Sequence, residues 1–483
     1  MDDRRLPPPQ LSRRQFLARS ALTGASVAVA TAQRGVSAAP PSPRPNFLFL
    51  LTDDQRWDMA GCAGNALIRT PNMDALAREG VRFANAFVTT SICAASRASV
   101  LTGLHERTHQ FTFGTPPLRD ELVDLSYPKL LRDAGYRTGF VGKFGIGVEQ
   151  GATARMFDSF KPLNRTPYFK RQPDGSERHE TDLDGDAAVD FLRGCKPDQP
   201  FCLSVSFNAP HAEDADPKQY FWPKAFDDLY TDVRMPVPKT ADPAFFERQP
   251  DFLKKSMNRE RWRWRFETPE KAQEMTKGYY RMVTGVDAVI GRLRDELVRL
   301  GVADNTVILL LGDNGYFLGE RGFAGKWLMY EYSIRVPLLV YDPRVPQRQR
   351  GVVPQQMVLN LDVPETMLEL AGVPVPATMR GRSLVPLLRG ETPNWRTDFF
   401  YEHLFENKTI PKTEGVRTER WAYLRYFEQV PVYEELYDVV NDFDEEHNLA
   451  GDPAQRTVLN ALRKRCDELR DRYGGPFVPR AKQ

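Results

Sequence analysis

The sequence predicts an α/β fold, a large and mostly parallel sheet flanked by helices, followed by a smaller C-terminal antiparallel sheet with a helix. Three observations predict it. From Pro45 onward short apolar runs alternate with amphipathic stretches, the rhythm of strands joined by covering helices. Polar and acidic residues cluster just past the ends of those apolar runs, where open α/β sheets place their ligand sites. Beyond Met379-Arg380-Gly381-Arg382-Ser383-Leu384 the pattern changes to short aromatic-rich runs such as Arg420-Trp421-Ala422-Tyr423-Leu424-Arg425-Tyr426, then a charged final helix.

The first 39 residues stand apart. Ser12-Arg13-Arg14-Gln15-Phe16-Leu17 precedes a mild Ala/Gly/Ser/Thr-rich apolar stretch from Ala18 to Ala32, the order of a twin-arginine signal peptide. Val36-Ser37-Ala38 and Ala39 offer cleavage sites, and the Pro-rich run from Pro40 to Pro45 is then a linker. The expectation is a chain exported in folded form to the periplasm or beyond.

Asn46-Phe47-Leu48-Phe49-Leu50-Leu51-Thr52 reads as a buried strand, as do Phe201 to Phe207 and Thr306 to Leu311. Met73 to Gly80 and Tyr127 to Gly135 have helical spacing and end at glycine, and a long helix is expected from about Pro269 to Gly301. Its apolar positions Met275, Tyr279, Met282, Val286, Val289 and Leu293 read as core packing. The stretch from Asp242 to Glu270, rich in Arg, Lys, Trp and Phe, has no place in the sheet and reads as a solvated helical insertion or a rim over the site. A main domain over 45–378 and a C-terminal α+β subdomain over 379–483 follow.

Composition narrows the function. Of 483 residues, 41% are hydrophobic and 27% charged, the balance of a soluble globular chain long enough for a deep active site. A formal net charge of +2 leaves no electrostatic footprint for nucleic acid, and no mature stretch is apolar enough to anchor in a membrane, so anion recognition must be local. Five cysteines (Cys62, Cys93, Cys195, Cys202, Cys466) lack zinc-ligand spacing, and their odd number leaves one over in an exported protein.

Asp53-Asp54 after a strand is by itself an ordinary turn or helix cap. Asp313-Asn314 after a second strand, flanked by Gly312 and Gly315, changes the weight. Together they supply four hard oxygen donors at strand ends, a set suited to calcium or magnesium rather than to softer metals. Asn208-Ala209-Pro210-His211 follows a third strand and is placed to converge on the same crevice.

The segment Ser91-Ile92-Cys93-Ala94-Ala95-Ser96-Arg97-Ala98-Ser99-Val100-Leu101-Thr102-Gly103 resembles the signature of type I sulfatases, members of the alkaline phosphatase superfamily. In them a Cys-X-Pro-Ser-Arg run followed by Thr-Gly marks a cysteine converted to formylglycine. Asp53-Asp54, Gly142-Lys143, Ala209-Pro210-His211, Asp313-Asn314-Gly315 with Leu318-Gly319-Glu320, Lys326, and Tyr330-Glu331 with Arg335-Val336-Pro337 occur in family order, so the resemblance spans about 45 to 450. It implies an alkaline-phosphatase-like main domain and a sulfuric ester hydrolase that acts on an organic sulfate, with a sulfated sugar as the expected substrate. It also implies that Asp53, Asp54, Asp313, Asn314 and oxidised Cys93 hold Ca2+, Arg97 orients the hydrated aldehyde, and Lys143 and Lys326 bind sulfate oxygens. His211 is the implied general acid or sulfate ligand, whereas read alone it is a surface-loop histidine. One hydroxyl of the hydrate attacks sulfur and the other expels sulfate by carbon–oxygen cleavage. A helix starting near Ala95 would turn its N-terminus toward the anion.

The chain departs from the family pattern twice. Gly142-Lys143-Phe144-Gly145-Ile146-Gly147 stands where Gly-Lys-Trp-His is usual, so Gly145 replaces the histidine that assists the hydrate, leaving His105, His109 or a water for that task. Ala95 replaces the usual proline, which points to a radical-type formylglycine maturase as a partner and to oxidation of Cys93 before export. Two rival readings go with these residues. One is a phosphonate monoester or phosphodiester hydrolase of the same superfamily; the other is a catalytically silent binder of sulfated glycan. In the C-terminal part, Tyr401-Glu402-His403, Arg417, Arg420 and Arg425 are candidates for sugar or carboxylate contacts, with a structural role as the alternative.

Overall fold

The computed structural model describes residues 44–113 and 116–479. The twin-arginine leader and its cleavage sites lie outside the described residues.

Seven strands form the main sheet: β1 (Asn46–Thr52), β2 (Val81–Arg82), β3 (Arg137–Gly142), β4 (Ser159–Pro162), β5 (Phe201–Ser206), β6 (Thr306–Gly312) and β7 (Leu338–Tyr341). Their order is β2-β7-β6-β1-β5-β3-β4. The run β6-β1-β5-β3-β4 is parallel, while β7 lies antiparallel between β6 and β2. β1 is fully buried along its length because both faces of the sheet are covered, which is why it reads as an unbroken apolar run rather than an alternating one.

Alternation within that run still decides which core each side chain joins. Phe47, Phe49, Leu51, Val307, Leu309 and Leu311 face one layer, which includes helices α2 (Cys93–Thr102) and α3 (Tyr127–Asp133). Leu48, Leu50, Ile308 and Leu310 face the other, which holds α1 (Pro71–Glu79) and α4 (Glu180–Arg193). α5 (Met257–Arg265) leads into the long helix α6 (Pro269–Arg299), which Thr268 caps by accepting from the Lys271 N–H. Met275, Tyr279, Met282, Val286, Val289 and Leu293 of α6 lie in that second core, as their spacing predicts.

After α7 (Asp362–Ala371) comes a separate four-stranded antiparallel sheet, β8 (Asp398–His403), β9 (Thr413–Thr418), β10 (Trp421–Tyr426) and β11 (Tyr433–Asp438), in sequential order. Alternate residues Phe400, Val416, Tyr423 and Leu436 pack under the final helix α8 (Arg456–Tyr473) through its Leu459, Leu462, Cys466 and Leu469. The opposite face, Phe399, Tyr401, Ala422, Leu424 and Tyr426, joins the first core of the main body. Among the described residues no helix is long and apolar enough to cross a membrane.

Two expectations need adjustment. Helix α2 begins at Cys93 itself, so Cys93 sits in its first turn instead of preceding it. The segment from Asp242 to Glu270 is not a solvated insertion: Asn258 and Arg265 of α5 are fully buried, and Asn258 Nδ2 donates to the carbonyls of Ala324 (3.2 Å) and Lys326 (2.8 Å). Asn258 thus holds the Lys326 loop, while Arg261 and Arg265 pair with Asp214.

Candidate active site

Strand register gathers the site. Leu51 of β1 is opposite Ser206 of β5 and Leu311 of β6, and Gly142 of β3 is opposite Ser206. The residues one step further along each strand therefore emerge side by side at the carboxyl edge. Backbone bonds carry the alignment past the strand ends: Asp313 N–H to the Thr52 carbonyl (2.9 Å), Asp53 N–H to Ala209 (3.2 Å) and Lys143 N–H to Ser206 (2.7 Å). Asp53, Asp54, Asp313, Asn314, Lys143 and His211 thus converge, as the sheet rule predicts.

Asp54 adopts a positive φ of 66°, a conformation Asp tolerates better than most side chains, and the Tyr279 hydroxyl of α6 holds its carbonyl at 2.6 Å. Asp54 N–H donates to Asp313 Oδ1 (3.1 Å), and Asn314 Nδ2 donates to Asp54 Oδ1 (2.7 Å). Asp53 Oδ1, Asp54 Oδ2 and Asn314 Oδ1 are buried with no hydrogen-bond partner. Three orphaned oxygens converging in one buried place are costly unless a cation satisfies them, and their hardness suits a divalent ion of the calcium or magnesium type. Ligand atoms of Asp53, Asp54 and His211 lie within 4.8 Å of one another, which adds an imidazole to the residues able to reach such an ion.

Cys93 opens α2, with Ile92 as N-cap, and Ser96 N–H makes the first helical bond back to Ile92. The amides of Cys93, Ala94 and Ala95 therefore precede any intrahelical acceptor and give that end partial positive charge. Arg97 follows Cys93 by four residues and projects on the same face. Its Nε donates to Asp313 Oδ2 (2.8 Å) and its Nη1 to the Lys143 carbonyl (2.6 Å) and Ser206 Oγ. Gly103, at φ 69°, ends α2 and abuts Met379; a Cβ there would fall 2.8 Å from Met379 Cγ, which accounts for the Thr102-Gly103 pair.

Lys143 Nζ pairs with Asp53 Oδ2 and Lys326 Nζ with Asp54 Oδ1, Lys326 also standing 3.7 Å from Asp53 Oδ1. Burial opposes the Lys326 charge, but Asp54, Cys93, Asp53 and Asp313 together keep its ammonium protonated well above the usual range. Burial likewise pushes Asp313 up to about 7, reinforced by Asp53, while Asp53 itself is driven well below the usual range because Lys143 and its neighbouring cations outweigh its burial. His211 is held neutral by burial and by Arg165 and Lys326. Its Nδ1 is 2.6 Å from the Ala212 carbonyl, so Nδ1 carries the proton and Nε2 faces Asp54 Oδ2 at 3.6 Å.

The structure thus brings together Asp53, Asp54, Asp313, Asn314, Arg97, Lys143, Lys326 and His211, while Asn208 turns its amide to the Leu163 carbonyl and Glu180. Gly145 lies there too: at φ 67°, a Cβ would stand 3.2 Å from Arg97 Cδ and 3.6 Å from Lys143 Cε. His105 and His109 are engaged elsewhere. His105 stacks on Tyr473 at 3.9 Å, and His109 bonds to Ser99 Oγ (3.1 Å) and the Phe111 amide (3.1 Å). The C-terminal candidates are buried or paired within the chain as well: His403 is buried, and Arg420, although exposed, is ion-paired. Tyr401 donates to the Trp327 carbonyl, Glu402 pairs with Arg107, Arg417 with Glu331, Arg420 with Asp438, and Arg425 with Glu414 and Asp467. One residue escaped the sequence reading: Arg165, in the loop after β4, whose charge acts on Asp53, Cys93 and His211. It belongs to no motif, and only tertiary folding shows its neighbours.

Comparison with known proteins decides the family: residues 45–373 match the Sulfatase family, and residues 319–472 match the family described as N-sulphoglucosamine sulphohydrolase, C-terminal. The chain belongs to the sulfatase family. It is an enzyme of sulfate-ester hydrolysis. This sulfatase is 28% identical over 501 residues to an N-acetylglucosamine-6-O-sulfatase of Bacteroides thetaiotaomicron, covering 89% of this chain and 87% of that protein. A solved structure of a protein in complex with its substrate D-glucosamine-2-N,6-O-disulfate is similar with a TM-score of 0.76 and 26% identity, over 89% of the sulfatase and 98% of that chain. A phosphonate monoester hydrolase of Silicibacter pomeroyi shares the fold, with a TM-score of 0.74 and 23% identity over 89% and 96% of the two chains.

Proposed function

We propose that this sulfatase releases inorganic sulfate from a sulfated carbohydrate, using formylglycine made from Cys93 and a calcium ion held by Asp53, Asp54, Asp313 and Asn314. The observation that carries the proposal is the cluster itself: a cysteine in the first turn of α2, two lysines and an arginine beside it, and three buried oxygens without partners. The carbohydrate is supported by the relative that acts on an N-acetylglucosamine 6-O-sulfate and by the neighbour bound to a disulfated glucosamine.

Calcium supplies a Lewis acid that neutralises a sulfate oxygen, and oxidised Cys93 supplies the attacking hydroxyl. The chain's own groups do the rest. Lys143 and Lys326 leave their carboxylates to hold sulfate oxygens, drawing off the negative charge that would repel a nucleophile. Arg97, locked to Asp313 and the Lys143 carbonyl, orients the Cys93 side chain. His211, with Nδ1 tied to Ala212, would protonate the leaving oxygen from Nε2 once it has taken up a second proton. With no side chain at Gly145 to take it, the proton released when the second hydroxyl expels sulfate would pass to solvent water.

Ala95 in place of proline supports maturation by a radical-type enzyme, and the twin-arginine leader supports export to the periplasm after that oxidation. The test is hydrolysis of the sulfate, phosphate and phosphonate esters of one phenol, followed by a panel of sulfated sugars. Sulfate turnover at least 100-fold above phosphonate is expected. Faster phosphonate turnover favours the hydrolase whose fold the chain shares, and glycan binding without turnover favours a silent binder.

A further inference from the structure

Arg165 occupies a built position. Its loop is pinned on one side by Leu163, whose amide donates to the Gly142 carbonyl (2.9 Å) and whose carbonyl accepts from Asn208 Nδ2 (3.1 Å). On the other side the Tyr168 hydroxyl donates to the His211 carbonyl at 2.6 Å, and the Tyr168 amide to Glu213 Oε1 at 2.7 Å. The loop is thereby fastened to the two segments that carry Lys143 and His211. Arg165 Nε is buried without a hydrogen-bond partner.

The surrounding cations are all matched: Arg97 with Asp313, Lys143 with Asp53, Lys326 with Asp54, and Arg261 and Arg265 with Asp214. Arg165 forms no ion pair among the described residues, although Asp53, Tyr168, Asp214 and Cys93 all act on its charge. A partly buried guanidinium with an unsatisfied donor is unfavourable until an anion arrives. The scissile sulfate already has two lysines and the metal. Through Tyr168 the Arg165 loop is fastened to the His211 segment, so a saccharide whose leaving oxygen faces His211 would extend past this loop.

We propose that Arg165 binds a second anionic group carried by the substrate, a sulfate or a carboxylate on the saccharide, and makes the enzyme selective for doubly charged substrates. This rests on the sulfatase reading of Cys93 and adds to it the charge of the organic part. A guanidinium suits either anion because its fork donates in pairs.

The test compares phenyl sulfate with carboxyphenyl sulfates and phenylene disulfates, ortho and para, on the mature enzyme and on Arg165→Gln and Arg165→Ala. The wild type is expected to favour at least one dianionic ester by tenfold or more in kcat/KM, the better arm naming carboxylate or sulfate. Arg165→Gln should lower that value about 30-fold, chiefly through KM, and lower phenyl sulfate by a clearly smaller factor, carried by kcat because Arg165 also acts on His211; Arg165→Lys should recover part of the loss. Equal losses on all esters would overturn the proposal, placing Arg165 on the scissile sulfate or in the fold, and so would a wild type indifferent to the second charge. Absence of turnover on every ester and on the panel of sulfated sugars would overturn the reading of Cys93 as the nucleophile, and this proposal with it.

Discussion

Arg97 Nε donates to Asp313 Oδ2 at 2.8 Å, tying the second turn of α2 to the residue that follows β6. The bond joins the helix that carries Cys93 to the strand end that carries the proposed metal ligands. Both side chains are almost wholly buried, so the pair is little screened and its geometry is fixed by the sheet rather than by solvent. Nucleophile and cation site are thus registered to one another before any substrate arrives.

Gly145 sets how closely Arg97 can lie. Its φ of 67° costs an L-residue about 1–2 kcal/mol, and a Cβ would press on Arg97 Cδ at 3.2 Å. Gly145→Ala is expected to lose about that much stability by urea denaturation and at least tenfold in kcat. A variant with wild-type kcat would show that Arg97 has no need of this space.

Three orphaned oxygens predict a large response to calcium. At 100 times its dissociation constant the ion should stabilise the fold by about 2.7 kcal/mol, seen as a calorimetric rise in Tm that a chelator reverses. Asn314→Ala should abolish most of that rise. An equal rise in the variant would move the ion elsewhere.

Arg107 bridges the main body to the C-terminal sheet, with Nε 2.8 Å from Glu402 Oε2 and Nη2 2.7 Å from Glu414 Oε2. All three are buried, so removing the cation strands the Glu402 carboxylate, whereas Glu414 keeps Arg425. Arg107→Met should cost about 3–5 kcal/mol in chemical denaturation. A loss below 1 kcal/mol, on the order of a surface pair, would contradict the bridge.

Glu106 gives a pH signature. Burial, with Glu402 nearby, raises its carboxyl from 4.5 to about 8, while Thr90 Oγ1 donates to it. The unfolded chain releases this proton from about pH 4.5 upward and the native protein keeps it until about 8, so the contribution to stability falls as pH rises across that window. The slope is about 1.4 kcal/mol per pH unit. Glu106→Gln removes it, so its Tm should decline less than the wild type's between pH 5 and 8, roughly the window just given. Parallel curves would show Glu106 ionised in the native state.

Much of this was legible in the sequence for a physical reason. β1, β5 and β6 are buried on both faces and carry no charged residue, so their ends are marked by Asp53, Asn208 and Asp313. α6 shows a core face at helical spacing from Met275 to Leu293, although its middle from Gly278 to Asp287 is buried all round. What could not be read depends on partners distant in sequence. α5 is too rich in Arg and Trp to announce burial, yet Asn258 meets the Lys326 carbonyl and Arg265 meets Asp214. Glu402 resembles a sugar ligand until Arg107 is placed beside it. Arg165 gives no sign of itself, since a single arginine in a loop acquires meaning only from the carboxylates and the cysteine around it.

The central claim rests on the chemical state of Cys93, and the most direct measurement is peptide mass spectrometry of that segment from the protein matured in its own host, paired with sulfate release by the same sample. The account predicts an aldehyde, or its hydrate, at Cys93 together with turnover, and loss of both in Cys93→Ala. An unmodified thiol in a preparation that still releases sulfate would contradict it.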